Sequence, residues 1–256
     1  MHTSSTTTRL GRMALHELPP VTQLNLASVE LPDTHPAATL GHTVPVHSFL
    51  IHHPDGLILV DTGIGFGNQF IDDLYQPTRT ALNDALAEHD VALEEVAAVV
   101  NSHLHFYHCG QNPALFGGST TFYAQGVEID TVTGDEFYTN RRWALCPPSK
   151  QRVVRGDEQI ADGIAILATP GHTAGHQSVL IQAGEDSVVI GGQLVWNADE
   201  IEAEVASTAN VDAVAELQRA AVDSIRRINA LHPQVIYLSH CSAHRPDGLP
   251  PPTAPP

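Results

Sequence analysis

An α/β protein, built of sheets packed on each other with helices outside, is the architecture this chain predicts. Two observations carry it. Short apolar runs bounded by turn residues recur through most of the chain, and few stretches have helical periodicity. A third observation places a site. Residues able to do chemistry follow the ends of several of those runs, where loops of a layered fold converge.

The elements follow in order. Residues 48–51 and 57–60 read as strands joined by the turn His53-Pro54-Asp55-Gly56. Residues 78–89 read as a helix, with Ala81, Leu82, Ala85 and Leu86 on one face. Residues 96–101 form a buried strand, and further strands are expected at 120–124, 164–168, 178–181, 187–190 and 235–238. The clearest helix is 210–231. Asn210 can cap it, Asp212 and Glu216 favour its start, and Arg226 and Arg227 favour its end. Val211, Val214, Leu217, Ala221, Ile225 and Ile228 make its apolar stripe. Residues 1–20 read as a flexible arm, and 21–245 as one domain without linker or repeat. Residues 246–256 read as a disordered tail, because Pro250-Pro251-Pro252 and Pro255-Pro256 suit neither helix nor central strand.

Composition narrows the function classes. The 256 residues carry a formal net charge of −17 with no basic stripe, which argues against nucleic acid or an anionic membrane as partner. No apolar run nears the ~20 residues needed to span a bilayer. The first residues lack the apolar core of a secretory signal. Three cysteines, an odd and sparse set, suit a reducing cytoplasm. Histidine is the outlier, at 16 residues against 12 Lys and Arg together.

His103, His105 and His108 follow directly on the apolar run 96–100, and a neutral imidazole is the commonest biological metal ligand. Asp61, His172, Gln193 and His240 each lie just beyond another strand end. One such histidine is more often packing than ligand. Several at successive strand ends are much harder to explain that way.

The pattern His-x-His-x-Asp-His, a Gly-His loop and a late His resembles the metallo-β-lactamase superfamily, and within it the N-acyl-homoserine-lactonase-like hydrolases. Here it reads His103, His105, Tyr107, His108, His172 and His240, over roughly residues 44–240. The segments Ser102-His103-Leu104-His105-Phe106 and Gly171-His172-Thr173-Ala174-Gly175-His176 carry the lactonase likeness. The resemblance implies a four-layer α/β/β/α sandwich with metal at one edge of the sheets. It implies one metal on His103, His105 and His172, and a second on the motif aspartate, His108 and His240, with another aspartate bridging.

This chain departs at both carboxylates. Tyr107 stands in the motif position and Gln193 aligns best with the bridging aspartate. Two neighbouring dications repel, and removing two anionic ligands removes what offsets that. A phenol, with a pKa near ~10, is a poor ligand until its proton leaves. One metal is therefore expected, zinc in the first reading and iron in the alternative, with His108, His240 and Gln193 as remnants of a second site. Tyr107, His108 and His240 are expected on the substrate side, Tyr107 as hydrogen-bond donor rather than base. Trp196 takes the place of a substrate-facing tyrosine implied by the resemblance. Asp61 reads equally as an Asx turn residue or as the group that orients a ligand histidine.

The remaining candidates take plainer readings. His176 reads as structural, Cys109 and Cys241 as packing with a Cys241 thiolate ligand the minor alternative, and Gly63, Gly65 and Gly67 as loop flexibility. His42, His47, His52, His53, His89, His232 and His244 are placed on the surface. Loops 66–78 and 135–148 are expected to frame a pocket, with Phe70, Tyr75, Phe137, Tyr138 and Trp143 as an apolar wall. The expected activity is metal-dependent hydrolysis of an ester or lactone in a small-molecule substrate, by a protein compatible with a homodimer. The alternatives are an iron enzyme of a biosynthetic pathway with non-hydrolytic chemistry, or a non-catalytic relative.

Overall fold

The computed structural model describes residues 15–135, 138–206 and 215–246. The first half of the chain makes strands β1 (Val21–Glu30), β2 (Thr43–His53), β3 (Gly56–Val60), β4 (Thr78–Arg79), β5 (Val96–Val100), β6 (Thr121–Gln125) and β7 (Gln151–Val154). They form one sheet in the order β4-β1-β2-β3-β5-β6-β7. The second half makes β8 (Glu158–Ala161), β9 (Ile164–Ala168), β10 (Gln177–Ala183), β11 (Asp186–Gly192) and β12 (Val235–Leu238), in the order β12-β11-β10-β9-β8. Among the described residues the α-helices are α1 (Gln69–Tyr75), α2 (Leu82–Ala87), α3 (Phe106–Cys109), α4 (Gly126–Gly134), α5 (Arg141–Ala144), α6 (Asp199–Ala203) and α7 (Ala215–Asn229).

Period-2 alternation divides each strand between two layers. On β2, Phe49 and Ile51 face the second sheet and join Ile58, Val60 and Val100 against Ile164, Ile166, Val179, Ile181 and Ile190. Leu50 points the other way, and with Leu24, Leu59, Val99 and Phe122 it packs on Leu82, Ala85 and Leu86 of α2. The outer face of the second sheet, through Val189, Ile236 and Leu238, meets Ala221, Ile225 and Ile228 of α7. The result is the expected α/β/β/α sandwich. Ile225 is fully buried in that outer layer, so truncating it to alanine would cost about 2–5 kcal/mol.

Several expectations change. β1 carries no clean alternation because its register against β2 shifts between Asn25 and Ala27. The 78–89 helix is shorter than expected: Thr78 and Arg79 pair with β1 as a strand, and the helix occupies only Leu82–Ala87. That edge pairing overrides the local helical pattern. β7 and β8 are short and half-exposed, with too little apolar signal to read. The late helix is described from Ala215, so the Asn210 cap, Asp212, Val211 and Val214 lie outside the described residues. Leu18 already packs against the inter-sheet cluster, so ordered packing begins before Val21. His53 does not face solvent. It is 5% exposed, and its Nε2–H donates to the Asp162 carbonyl at 2.9 Å. His244 is buried too, across an isolated bridge from Ile236. Among the described residues no helix is long and apolar enough to cross a membrane.

Candidate metal centre

The site forms where β3 and β5, parallel neighbours, end side by side. Asp61 follows β3 in the left-handed region, φ 63°, which Asp tolerates better than most residues. Its carboxylate accepts from the Ser102 amide and the Ser102 hydroxyl, each at 2.7 Å, and so fixes the start of the loop after β5. That loop then turns through α3. The His108 carbonyl caps the turn, accepting from the Thr62 amide at 2.8 Å and the Asn101 side-chain amide at 3.1 Å. The two loops touch through backbone. A Cβ on Gly65 would lie 2.3 Å from the Gly110 carbonyl oxygen, and one on Gly110 would lie 2.0 Å from the Gly65 nitrogen. Gly65 is therefore required by close approach, not by loop flexibility.

Three imidazoles meet at this edge. His103 Nε2 lies 3.1 Å from His105 Nδ1, which lies 3.1 Å from His172 Nε2. All three ligand atoms fall within 4.8 Å of one another. A tetrahedral cation at the usual ~2.0–2.1 Å holds ligand nitrogens roughly 3.3 Å apart, so the set fits a metal. His103 is fully buried and His105 half-buried. Burial first, and the neighbouring imidazoles second, push both well below the usual histidine pKa, so they present lone pairs rather than protons.

Beside this group lies another. His108 Nδ1 donates to Asp61 Oδ2 at 2.7 Å, and its Nε2 faces Gln193 Oε1 at 3.1 Å and His240 Nε2 at 3.3 Å. His240 Nδ1–H donates to the Pro45 carbonyl at 2.9 Å. Among the described residues the Asp61 carboxylate bonds Ser102 and His108 and not its own turn, so of the two readings the structure favours the one in which it orients a histidine. It reaches the far side of His108, so the atoms facing inward are two imidazole nitrogens and an amide oxygen, none of them anionic.

Tyr107 stands over this second group. Its ring lies edge-on to His240 at 5.5 Å and to Tyr75 at 5.6 Å, and against Phe106 at 4.0 Å. The hydroxyl is buried and makes no hydrogen bond of normal geometry among the described residues. Burial, with Tyr75 beside it, raises its pKa above that of a free phenol, so it stays neutral. Trp196 stacks on His240 at 4.7 Å and meets His35 on a tilt at 5.6 Å. It is buried, a wall of this pocket rather than an open contact surface. Tyr75 packs here and Trp143 lies in the core beneath, whereas Phe70 is 71% exposed and Phe137 lies outside the described residues.

His176 is structural as expected: its Nδ1–H donates to the Thr169 carbonyl at 2.9 Å. Cys109 packs beneath the ligand loop, its thiol reaching the Leu104 and His105 carbonyls. Burial pushes the Cys241 thiol up to about 12, which disfavours a thiolate ligand there. His47, expected on the surface, is mostly buried near His240, and its Nδ1 has no partner among the described residues.

One residue escaped sequence reasoning altogether. Glu128, in the first turn of α4, is 1% exposed and joins the ligand loops. It accepts from the Leu104 amide at 2.9 Å, the Thr173 hydroxyl at 2.8 Å, the Tyr138 hydroxyl and the Gly175 amide. A lone Glu at a helix start looks like ordinary favourable dipole chemistry, and no spacing marks it as buried.

Comparison with known proteins finds relatives in sequence and in fold. An N-acyl homoserine lactonase from a Bacillus species is 30% identical over 159 residues, covering 57% of this chain and 62% of the relative. The chain thus spans less than two-thirds of the length of that curated relative. A crystal structure of a B. thuringiensis AiiA variant, with N-decanoyl-L-homoserine bound at its active site, superposes with a TM-score of 0.73. It is 23% identical and covers 89% of this chain and 94% of its own. AidC, described as a dizinc quorum-quenching lactonase, superposes at 0.62 with 14% identity, covering 88% of each chain. The sequence profile of the metallo-beta-lactamase superfamily matches residues 41–240, and the chain belongs to that superfamily.

Proposed function

We propose that this protein is a metal-dependent hydrolase of an ester or lactone carbonyl in a small molecule, working at a mononuclear site. The observation that carries the reading is the contrast between the two groups. Three lone pairs converge at His103, His105 and His172, whereas the neighbouring group presents no anionic ligand to a second dication. The lactonase relatives support the carbonyl chemistry, and the dizinc description of AidC belongs to AidC.

Zinc in the favoured reading, or iron in the alternative, would be held by His103, His105 and His172 and would supply Lewis acidity toward a carbonyl oxygen and toward water. The chain's own groups do the rest. Asp61 accepts a hydrogen bond from His108 Nδ1–H and so directs Nε2 of that ring into the site. His240 is fixed in the same sense by Pro45 and also presents Nε2. His108 Nε2 faces Gln193 Oε1 and His240 Nε2 where a second cation would otherwise sit. Tyr107 is a neutral phenol beside the Tyr75 hydroxyl, suited to turn its proton to a substrate carbonyl or leaving group and unsuited to act as base at neutral pH. Tyr75, Phe106 and Trp196 add aromatic surface near that donor, which favours an apolar acyl or aromatic substituent and excludes water.

Elemental analysis of dialysed protein, with hydrolysis assays over a panel of esters and lactones, tests this. One zinc per chain and turnover of a panel member are expected. Two equivalents that resist dialysis would overturn the mononuclear reading. Iron with O₂ uptake and no hydrolysis would replace the proposal with the redox alternative.

A further inference from the structure

We infer that Glu128 is a positioning residue that sets the metal affinity of the three-histidine centre by locking both ligand loops to each other. The inference rests on the metal reading above and adds to it a residue that belongs to neither histidine group. Leu104, whose amide the carboxylate accepts, lies in the chain between ligands His103 and His105. Thr173, on the other oxygen, directly follows ligand His172. One side chain therefore grips the loop after β5 and the loop after β9, which bring their ligands from different sheets. A third arm runs to the Tyr138 hydroxyl, and the Tyr138 ring lies 4.6 Å from the His105 ring. The same carboxylate thus fixes a ring beside ligand His105.

The chemistry of the four contacts explains why a carboxylate is needed. A buried carboxylate is costly unless it is paired or fully hydrogen-bonded. Among the described residues no ion pair reaches Glu128, and its contacts are all donors: two amides and two hydroxyls. An ionised carboxylate is acceptor-only at both oxygens and satisfies all four, with charge-assisted strength. The packing is as close as the bonding. A Cβ on Gly175 would lie 2.5 Å from Glu128 Cβ, so the second loop is pressed directly onto this side chain. Histidine ligands held through their loops in this way lose affinity when the outer partner is removed, typically by about 10–100-fold.

Glu128→Gln keeps the shape but turns an amide N–H₂ toward one pair of donors. The test measures cobalt(II) and zinc(II) affinity by chelator competition, the visible absorption of the cobalt form, and urea unfolding of metal-stripped protein. Wild type is expected to bind one ion. E128Q is expected to bind it about 10–100-fold more weakly, with an altered cobalt spectrum, while the stripped protein still unfolds cooperatively. Thr173→Val cuts only the His172 arm, so it should weaken binding less, and it should add nothing in the E128Q background. Affinity and cobalt spectrum indistinguishable from wild type in E128Q would overturn the inference. Should E128Q fail to fold, Thr173→Val and Tyr138→Phe carry the test, and wild-type affinity in both overturns it. A wild type that binds neither ion would sink the metal reading, and the inference with it.

Discussion

Two groups of histidines lie almost in contact, with the rings of His103 and His108 4.0 Å apart, yet they are built differently. In His103, His105 and His172 the inward nitrogens have chiefly one another as neighbours. In His108 and His240 each outward nitrogen is tied to a chain acceptor, and the inward ones face each other, with an amide oxygen against that of His108. Both groups are dense in imidazole. What separates them is the charge of the remaining partners and the room left by Tyr107. A cluster of histidines is therefore read by what else faces the cluster, and a cation is expected only where lone pairs converge without competition.

The strongest way to break this contrast is to remove a ligand from the first group. His105→Ala or His172→Ala should weaken zinc binding by more than about 100-fold, beyond the loss typical of an outer partner, and abolish hydrolysis. Chelator-competition titration checks it, and retained tight binding would mean the metal sits elsewhere. The next test converts the second group into the first. Tyr107→Asp with Gln193→Asp should raise bound metal from one equivalent to two, read by elemental analysis. One equivalent in that variant would show that shape, not charge, keeps the second site closed. Asp61→Asn should lower activity by roughly 10–100-fold, because it loosens His108 and also the Ser102 anchor of the loop that carries His103; kinetic assay beside metal analysis checks it.

Acid should strain the protein through its buried neutral imidazoles. Burial lowers His176 from 6.5 to about 3, and His47 from 6.5 to about 4. Both take up a proton more readily when unfolded, so their contribution is fully present above about 6.5 and is lost as pH falls from there toward 4 and 3. Urea unfolding of metal-stripped protein at pH 7 and pH 5 should show lower stability at pH 5, and His47→Gln should shrink the difference. The smallest effect belongs to Tyr107→Phe. Its buried hydroxyl has only a weak contact with Tyr75, so removal should change stability by no more than about 1 kcal/mol. Any loss of kcat then isolates the phenol's role with substrate. Unchanged kcat would make Tyr107 a filler of the second pocket.

Much of this contrast was legible in the sequence, for physical reasons that also mark where reading stopped. His103 and His105 stand close together at one strand end and His172 follows another, and it was the family resemblance that joined the three into one set. Tyr107 and Gln193 were visible as departures because the pattern around them was intact. Asp61 was half-read: its left-handed turn is local, but the hydrogen bond to His108 spans 47 positions. Glu128 was invisible for the same reason, since its partners lie 24 and 45 positions away. β1 hid behind a bulge, and β4 behind a helical pattern that edge pairing overrode. His53 was misplaced because a turn implies exposure, whereas the Asp162 carbonyl lies across the sheet interface.

The stack of Trp196 on His240 has a practical consequence. The chain has two tryptophans, and Trp143 and Trp196 both lie in the one apolar cluster under the site. All indole emission of the protein therefore originates beside the chemistry, with one emitter in ring contact with a histidine of the second pocket. Intrinsic fluorescence becomes a label-free gauge of that pocket, and Trp143→Phe leaves a single emitter. Titrating the single-emitter protein with zinc would show, in one cuvette, whether an ion entering the three-histidine centre is felt at His240.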